Sequence, residues 1–516
     1  MSFSFAFNHA LFHLEKHDSV AVAKYPLAEG TQLVDDERVI QIRQAIPAGH
    51  KVALAALSPG EPILKYGQFI GIATQPIQPG DWVHTHNLAL PEEKRTFNIP
   101  MFENRRSTAD VPADRSSFLG YPRPDGSAGT RNLIAVIATV SCAAQTARQI
   151  AAHFSPPRLA DFPNVDGVIA VTHHSGCGFA PHTVSFTYLQ RTLTNLVRNP
   201  NIGGALLIGL GCEYHSVETC LPLIDAAVGS AGSIPSLIIQ QQGGIGKTVA
   251  AGIAAVEEML PKVNAVKRIP QPVSKLKMAL QCGGSDGWSG ITANPLVGRV
   301  SDWLAGAGGT AVLSETPEIY GAEFLLLNRA ATPQAAGKLR RILTAWQEMA
   351  ERYGFSLDNN PTPGNKAGGL TTIYEKSLGA VAKGGSTPLN AVYEYAERIE
   401  AAGLVFMDSP GNDLTSLTGM AAGGCNLSLF TTGRGTVATG LIMPCLKIAT
   451  HTQLYERMAE DMDFNAGALL EGADMEELAM RLIERILAAA SGEKSKGEAW
   501  GMREAEFIPW QLGCAL

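Results

Sequence analysis

Short apolar runs separated by proline-glycine turns fill the first ninety residues. Ser19–Ala23, Val39–Ala45, Lys51–Leu54, Ile63–Tyr66 and Phe69–Ala73 alternate with Pro-Ala-Gly, Ser-Pro-Gly and Gln-Pro-Gly, which predicts a small all-β domain. Beyond residue 120 the period changes. Leu133–Val140, Gly167–Val171 and Ala205–Leu210 read as buried strands, with a helix-period segment over Ala143–Phe154. From about residue 270 strands are predicted over Leu276–Leu280, Thr310–Leu313, Gly403–Met407 and Ser428–Phe430, and helices over 294–304 and 319–327. The amphipathic segment Met475–Ala490 is expected to pack as a structural helix. The fold class expected is α/β multidomain. An all-β domain spans 1–95 and a polar linker 96–119; a central α/β domain spans 120–269 and a C-terminal one 270–516, each with a Rossmann-like sheet.

The polar chemistry collects where those strands end. Gln281-Cys-Gly-Gly-Ser-Asp-Gly-Trp-Ser-Gly-Ile-Thr-Ala-Asn-Pro295 follows a strand and precedes a helix, as a site at the carboxyl edge of a sheet requires. Its bland counterpart is a capped glycine turn. Glu315 and Glu318 follow the strand at 310–313; Glu315 suits metal ligation or proton transfer, whereas Glu318 suits merely the dipole of the next helix. Lys366 stands in DNNPTPGNKAGG and Arg434 in TTGRG, where glycines let a cation lie close to a carboxylate. Arg131, in the turn entering the second domain, is another candidate anion clamp.

Cysteine and histidine add metal chemistry. Cys142, Cys177, Cys212 and Cys282 each follow an apolar strand, so they and His173 or His174 are expected near a common cleft as ligands of a metal or of an iron–sulfur cluster; small thiols also suit tight strand-to-helix turns. His84 and His86, spaced i and i+2, should share one face if the strand continues through them. Gln241–Thr248 ends like a phosphate-binding loop, but Gln241 stands where its first glycine is required, which argues against nucleotide hydrolysis.

Composition narrows the partner. A chain of 516 residues, 45% hydrophobic, with a net charge of −7 and no basic runs offers nucleic acid no electrostatic footprint. No apolar run reaches membrane-spanning length and the first twenty residues lack a leader pattern, so a cytoplasmic protein with a small-molecule partner is expected. Eight cysteines with no CxxC pair exclude a disulfide scaffold.

GLGCE at 209–213, the 281–295 stretch, NPTPGNKAGG at 360–369, SPGND at 409–413 and TTGRG at 431–435 resemble the altronate/galactarate dehydratase family. HTHN at 84–87, GAE at 321–323 and NKAGGLTT at 365–372 are more similar to its altronate branch than to its galactarate branch. The resemblance implies that the N-terminal domain is a SAF-like (β-clip) domain. It also implies a hydro-lyase converting a sugar acid, D-altronate first among candidates, to a 2-keto-3-deoxy acid (2-dehydro-3-deoxy-D-gluconate), with iron(II) (Fe2+) or manganese(II) (Mn2+) as the metal. Galactarate dehydration and a sulfolactate-type sulfo-lyase are the related alternatives; a sugar-binding protein and an iron–sulfur redox protein are the readings from outside the class.

Loss of water across C2 and C3 needs a base, an acid and a cation near the carboxylate. A histidine from His84, His86 or His173 is expected in one proton-transfer role and Asp286 or Glu315 in the other. Arg131, Ser285, Asn294, Asn365, Lys366, Asn412 and Arg434 are expected to bind substrate, and His84, His86, Cys142, Cys177, Cys212 and Cys282 to bind metal. A homo-oligomer, a dimer, is expected. The β domain is expected to act as a hinged lid, needed for turnover but not for the folding of the remainder.

Overall fold

The computed structural model describes residues 4–34, 39–92, 96–98, 115–228, 234–501 and 507–512. The N-terminal unit is built from three small sheets of three or four strands. Val20–Ala23 and Lys51–Ala53 pair antiparallel at its centre, flanked by Leu11–Phe12 and Trp82–Val83. Most of the linker expected over 96–119 lies outside the described residues. Its end already belongs to a strand: Ser117–Pro122 pairs antiparallel with Ile269–Pro272, so the chain enters and leaves the central unit side by side.

Four parallel strands form the central sheet: β1 (Leu133–Ala138), β2 (Gly167–Val171), β3 (Ile202–Gly209) and β4 (Ser236–Ile238), in the order β2-β1-β3-β4. Every residue of β1 is buried, as expected for a strand covered on both faces. One face carries the helices Ala144–His153 and Ile245–Ala265. The other shares a core with the C-terminal unit through the helix Val184–Val197.

The C-terminal sheet has seven parallel strands: β5 (Lys277–Cys282), β6 (Thr310–Leu313), β7 (Leu389–Tyr393), β8 (Gly403–Met407), β9 (Leu427–Thr432), β10 (Cys445–Ala449) and β11 (Phe464–Asn465). Their order is β7-β8-β6-β5-β9-β10-β11. The chain therefore starts at the middle with β5, winds outward through β6 to β7 and β8, then returns to the other side of β5 with β9. Such a reversal opens a crevice beyond the carboxyl ends of the central strands, where ligands bind in open α/β sheets.

The β domain is no appendage. Val20, Ala53, Ile63, Ile70 and Val83 belong to one continuous core with Leu280, Leu296, Leu378 and Val381 of the C-terminal unit. Across this contact Lys51 and Lys65, both fully buried, ion-pair with Glu375 at 2.8 Å each, and Glu375 also accepts hydrogen bonds from the Thr371 amide and hydroxyl. Although burial alone would raise it, the two ammonium groups hold the Glu375 carboxyl far below the usual carboxylate range. An interface of this kind fixes the domain in place and corrects the expectation of a freely hinged lid.

Candidate active site

Cys282 closes β5 and is buried within its strand, not in the glycine loop as the sequence pattern suggested. Beside it, just beyond β6, the chain turns sharply. Glu315 takes up a left-handed conformation (φ +69°), a strained choice for a residue with a Cβ, and its side chain is buried with Oε2 lacking any hydrogen-bond partner. Glu318 follows on a short 3-10 turn. Cys282 Sγ, Glu315 and Glu318 bring one ligand atom each within 4.8 Å of one another, the one such group of three among the described residues.

Cations and a third carboxylate surround this trio. Lys376 donates to Glu318 Oε1 at 2.6 Å and to Asn360 Oδ1 at 2.8 Å, and Asn360 Nδ2 donates to the same Glu318 oxygen at 2.8 Å. Glu318 Oε2 faces the thiol, whose Sγ lies 3.5 Å away. Lys383, fully buried, neighbours Cys282. Asp413, at the start of the helix Asp413–Ala422, accepts from Gln281 Nε2 at 2.9 Å. It stands so near the backbone after Cys282 that a methyl group on Gly283 would collide with its carboxylate.

Burial, then the negative charges of Glu318 and Asp413, push the Glu315 carboxyl well above the usual range. Burial pushes the Cys282 thiol up to about 12, and burial followed by Glu318 pushes Asp413 up to about 6. The charge balance fits a divalent cation. With Cys282 and Glu315 protonated, the two remaining carboxylates match the two lysines. With both deprotonated, a doubly charged ion restores neutrality, and the unpartnered Glu315 Oε2 gains a partner.

The glycine loops pack closely on one another. Gly433 and Arg434 amides donate to the Gly284 carbonyl, and the Gly287 amide donates to the Gly368 carbonyl. The Gly49 carbonyl of the β domain lies against both Gly287 and Gly369, where a methyl group would strike it. Asp286, within this knot, is fully employed: its Oδ1 accepts from the Trp288 and Ser289 amides and the Ser289 hydroxyl, and its Oδ2 from the Thr450 hydroxyl. His451 lies 3.8 Å from the same oxygen. Replacing Asp286 with Ala strands these four donors, so the expected outcome is a loss of about 4 kcal/mol or more in chemical denaturation, at about 1–3 kcal/mol for each buried donor left unpaired. A variant of unchanged denaturation midpoint would return Asp286 to a catalytic role.

Other expected site residues are occupied or displaced. Arg131 is a structural clasp, not an anion clamp: its donors go to Glu498 and to the carbonyls of Thr130, Ala489 and Glu493. Asn294 joins Gly379 O to the Thr431 hydroxyl, and Asn365 joins Ser285 O to the Thr362 amide and hydroxyl; these asparagines and the buried Ser285 hold loops together. Asn412 caps the helix that carries Asp413, accepting from the Thr415 amide. Lys366 is half-buried and Arg434 exposed, so both keep solvent-side cations near the loops.

His84 and His86 do not share a face, because the strand ends at Val83 and a turn follows. His84 is buried and stacked on Trp82 at 5.0 Å, whereas His86 is exposed. His50, which the sequence reading overlooked, completes this group: Trp82 Nε1 donates to its Nδ1 at 3.2 Å, leaving Nε2–H to donate to Ala367 O. Burial and then the Lys51 charge bring His50 and His84 each down to about 4, so both are neutral at physiological pH. His173 is buried in the turn after β2, accepting from the Ser175 amide, and burial likewise lowers it to about 4. No histidine joins the Cys282 group among the described residues. Cys142, Cys177 and Cys212 are exposed on the central sheet and do not join it either.

Three family models cover nearly the whole chain: the altronate/galactarate dehydratase SAF domain over 9–91, the D-galactarate dehydratase/altronate hydrolase second domain over 120–264, and the D-galactarate/altronate dehydratase C-terminal domain over 273–515. Altronate dehydratase of Bacillus subtilis is 36% identical over 484 residues, 93% of this chain and 95% of its own. The chain belongs to the altronate/galactarate dehydratase family. Altronate dehydratase of Escherichia coli is 37% identical over 94% of this chain and 96% of its own, and the galactarate dehydratase of that organism 34% identical over 96% and 97%. The family's hydro-lyase chemistry is thus carried by an N-terminal SAF domain followed by α/β units with parallel sheets, and its C-terminal match contains the whole Cys282 group. Among the described residues no helix is long and apolar enough to cross a membrane.

Proposed function

We propose that this hydro-lyase dehydrates D-altronate to 2-dehydro-3-deoxy-D-gluconate at the crevice formed by Cys282, Glu315, Glu318 and Asp413. The observation that carries the reading is the buried Glu315 carboxyl, its Oε2 without a partner, beside a thiol and a second carboxylate at the sheet's reversal point. Higher identity to the two altronate dehydratases than to the galactarate dehydratase supports the choice of substrate.

Cys282, Glu315 and Glu318 would hold an iron(II) or manganese(II) ion, which supplies Lewis-acid polarisation of the substrate's oxygens when bound. Lys376 and Lys383 place two fixed positive charges beside the position where the substrate carboxylate gains electron density as its C2 proton leaves. Asp413, raised to about 6 and half-buried, is a base near neutral pH and takes that proton. The carboxyl group so formed is the acid that protonates the departing C3 hydroxyl. Asp413 must be ionised to begin, so kcat/KM is expected to fall as pH drops through about 6, and Asp413→Asn to remove that limb along with about 10²–10⁴-fold of the rate. An Asp413→Asn enzyme with an unchanged pH–rate profile would exclude the assignment.

Metal binding carries its own signature. The Cys282 thiol, pushed up to about 12, holds its proton at neutral pH and must release it to become a ligand, and the raised Glu315 carboxyl must likewise be ionised to bind. Affinity for iron(II) or manganese(II) is therefore expected to climb at least about 10-fold per pH unit, a slope of one proton or more per ion. Titrating metal into the apoprotein between pH 6 and 8 checks this, and a pH-independent affinity would place the ion elsewhere. Substrate is tested by anaerobic turnover of a panel of aldonates and aldarates; preference for galactarate would move the chain to the other branch.

A further inference from the structure

The mechanism leaves three exposed thiols unused. Cys142, Cys177 and Cys212 are free and exposed, and each follows one of three neighbouring parallel strands: β1, β2 and β3. Their loops are stitched pairwise. The Ser141 amide donates to Ser175 O at 3.0 Å, the Tyr214 amide to Cys177 O at 3.1 Å, and the Thr139 hydroxyl to Glu213 Oε1 at 2.8 Å. Glu213 in turn accepts the amides of Leu210, Gly211 and Cys212, which fixes the turn presenting the third thiol. His174, exposed three residues before Cys177, lines a cleft of about 320 Å3 together with Pro410, Asn412 and Thr415, the segment that also carries Asp413.

We infer that Cys142, Cys177 and Cys212 are the ligands of a cuboidal iron–sulfur cluster held by the three stitched loops beyond β1, β2 and β3. A single ion is the poorer occupant: the three sulfurs are not gathered within 4.8 Å of one another, as ligands of one ion would be. A cluster takes one thiolate per iron and so spreads its ligands apart. Three thiolates leave one iron without a protein ligand. Assembly from two ferrous ions, two ferric ions and four sulfides replaces three S–H bonds with three Fe–S bonds, releases three protons to solvent and transfers no electron. The inference is independent of the role given to Cys282.

The full chain, purified anaerobically and reconstituted with equal amounts of ferrous and ferric iron and with sulfide, provides the test. The expected result is roughly four irons and four acid-labile sulfides per chain with visible charge-transfer absorbance that bleaches on reduction. Cys142→Ala, Cys177→Ala and Cys212→Ala should each lose at least half of the sulfide, and the triple variant all of it, with unchanged far-ultraviolet circular dichroism. Cys282→Ser should retain the sulfide in full. Wild-type protein that takes up iron without sulfide, or a triple variant that keeps its absorbance, would overturn the cluster.

Discussion

Glu315→Gln is expected to lower kcat about 10³-fold, in the range that loss of a proton-transfer group or metal ligand produces, while making the folded protein more stable at neutral pH. The opposite signs come from one cause. Burial beside Glu318 and Asp413 raises the Glu315 carboxyl well above its ordinary 4.5, so the folded state binds a proton that the unfolded state has released. Stability conferred by that proton is complete below 4.5 and is lost as pH rises toward the folded value, at up to about 1.4 kcal/mol per pH unit. Glutamine has no proton to lose. Its advantage over the wild type should therefore vanish below pH 4.5 and grow above it, as read from denaturation midpoints across pH. A Glu315→Gln protein that is both less stable and fully active would make the residue a packing element only.

The second large effect is on folding. Glu375→Ala leaves Lys51 and Lys65 buried without a counter-charge, and the expected cost is about 3–5 kcal/mol. Replacing all three by methionine removes the unpaired charges together with their partner, so the triple variant should recover most of that loss. For the same reason a 110–516 fragment is expected to be poorly soluble alone: it would expose Leu296, Leu378 and Val381 where the β domain's apolar residues now cover them. Urea denaturation of the variants and expression of the fragment check both points. A soluble fragment that melts cooperatively at the full-length temperature would show the interface to be dispensable.

Much of this architecture was legible in the chain. Apolar runs marked β1, β2, β3, β5, β6, β8 and β9 because parallel strands buried on both faces need uninterrupted hydrophobic text, and polar residues directly after them marked Cys282 and Glu315. The remainder depended on contacts between distant segments. Lys376 and Lys383 sit in helical text that gives no hint of burial; only their pairing with Glu318 and Cys282 explains two ammonium groups there. In SPGND the asparagine drew notice and the aspartate beside it did not, because the raised Asp413 carboxyl arises from Glu318 and from burial. Arg131, Asn294 and Asn365 show the converse, since a polar residue in a glycine-rich motif reads alike whether it holds a ligand or a neighbouring loop. The histidine pair failed for a local reason: alternation applies only while a strand continues, and this one stops before His84.

The most direct test of the central claim is anaerobic turnover of D-altronate by metal-loaded wild-type and Cys282→Ser proteins, with the 2-keto-3-deoxy acid measured as product. Expected are steady formation of that acid by the wild type, abolition by chelation, and at least a hundredfold loss in Cys282→Ser, judged against a change of about 1–2 kcal/mol in stability typical of a single core substitution. Wild-type protein that dehydrates no aldonate or aldarate, or a Cys282→Ser enzyme that turns over altronate at the wild-type rate, would contradict it.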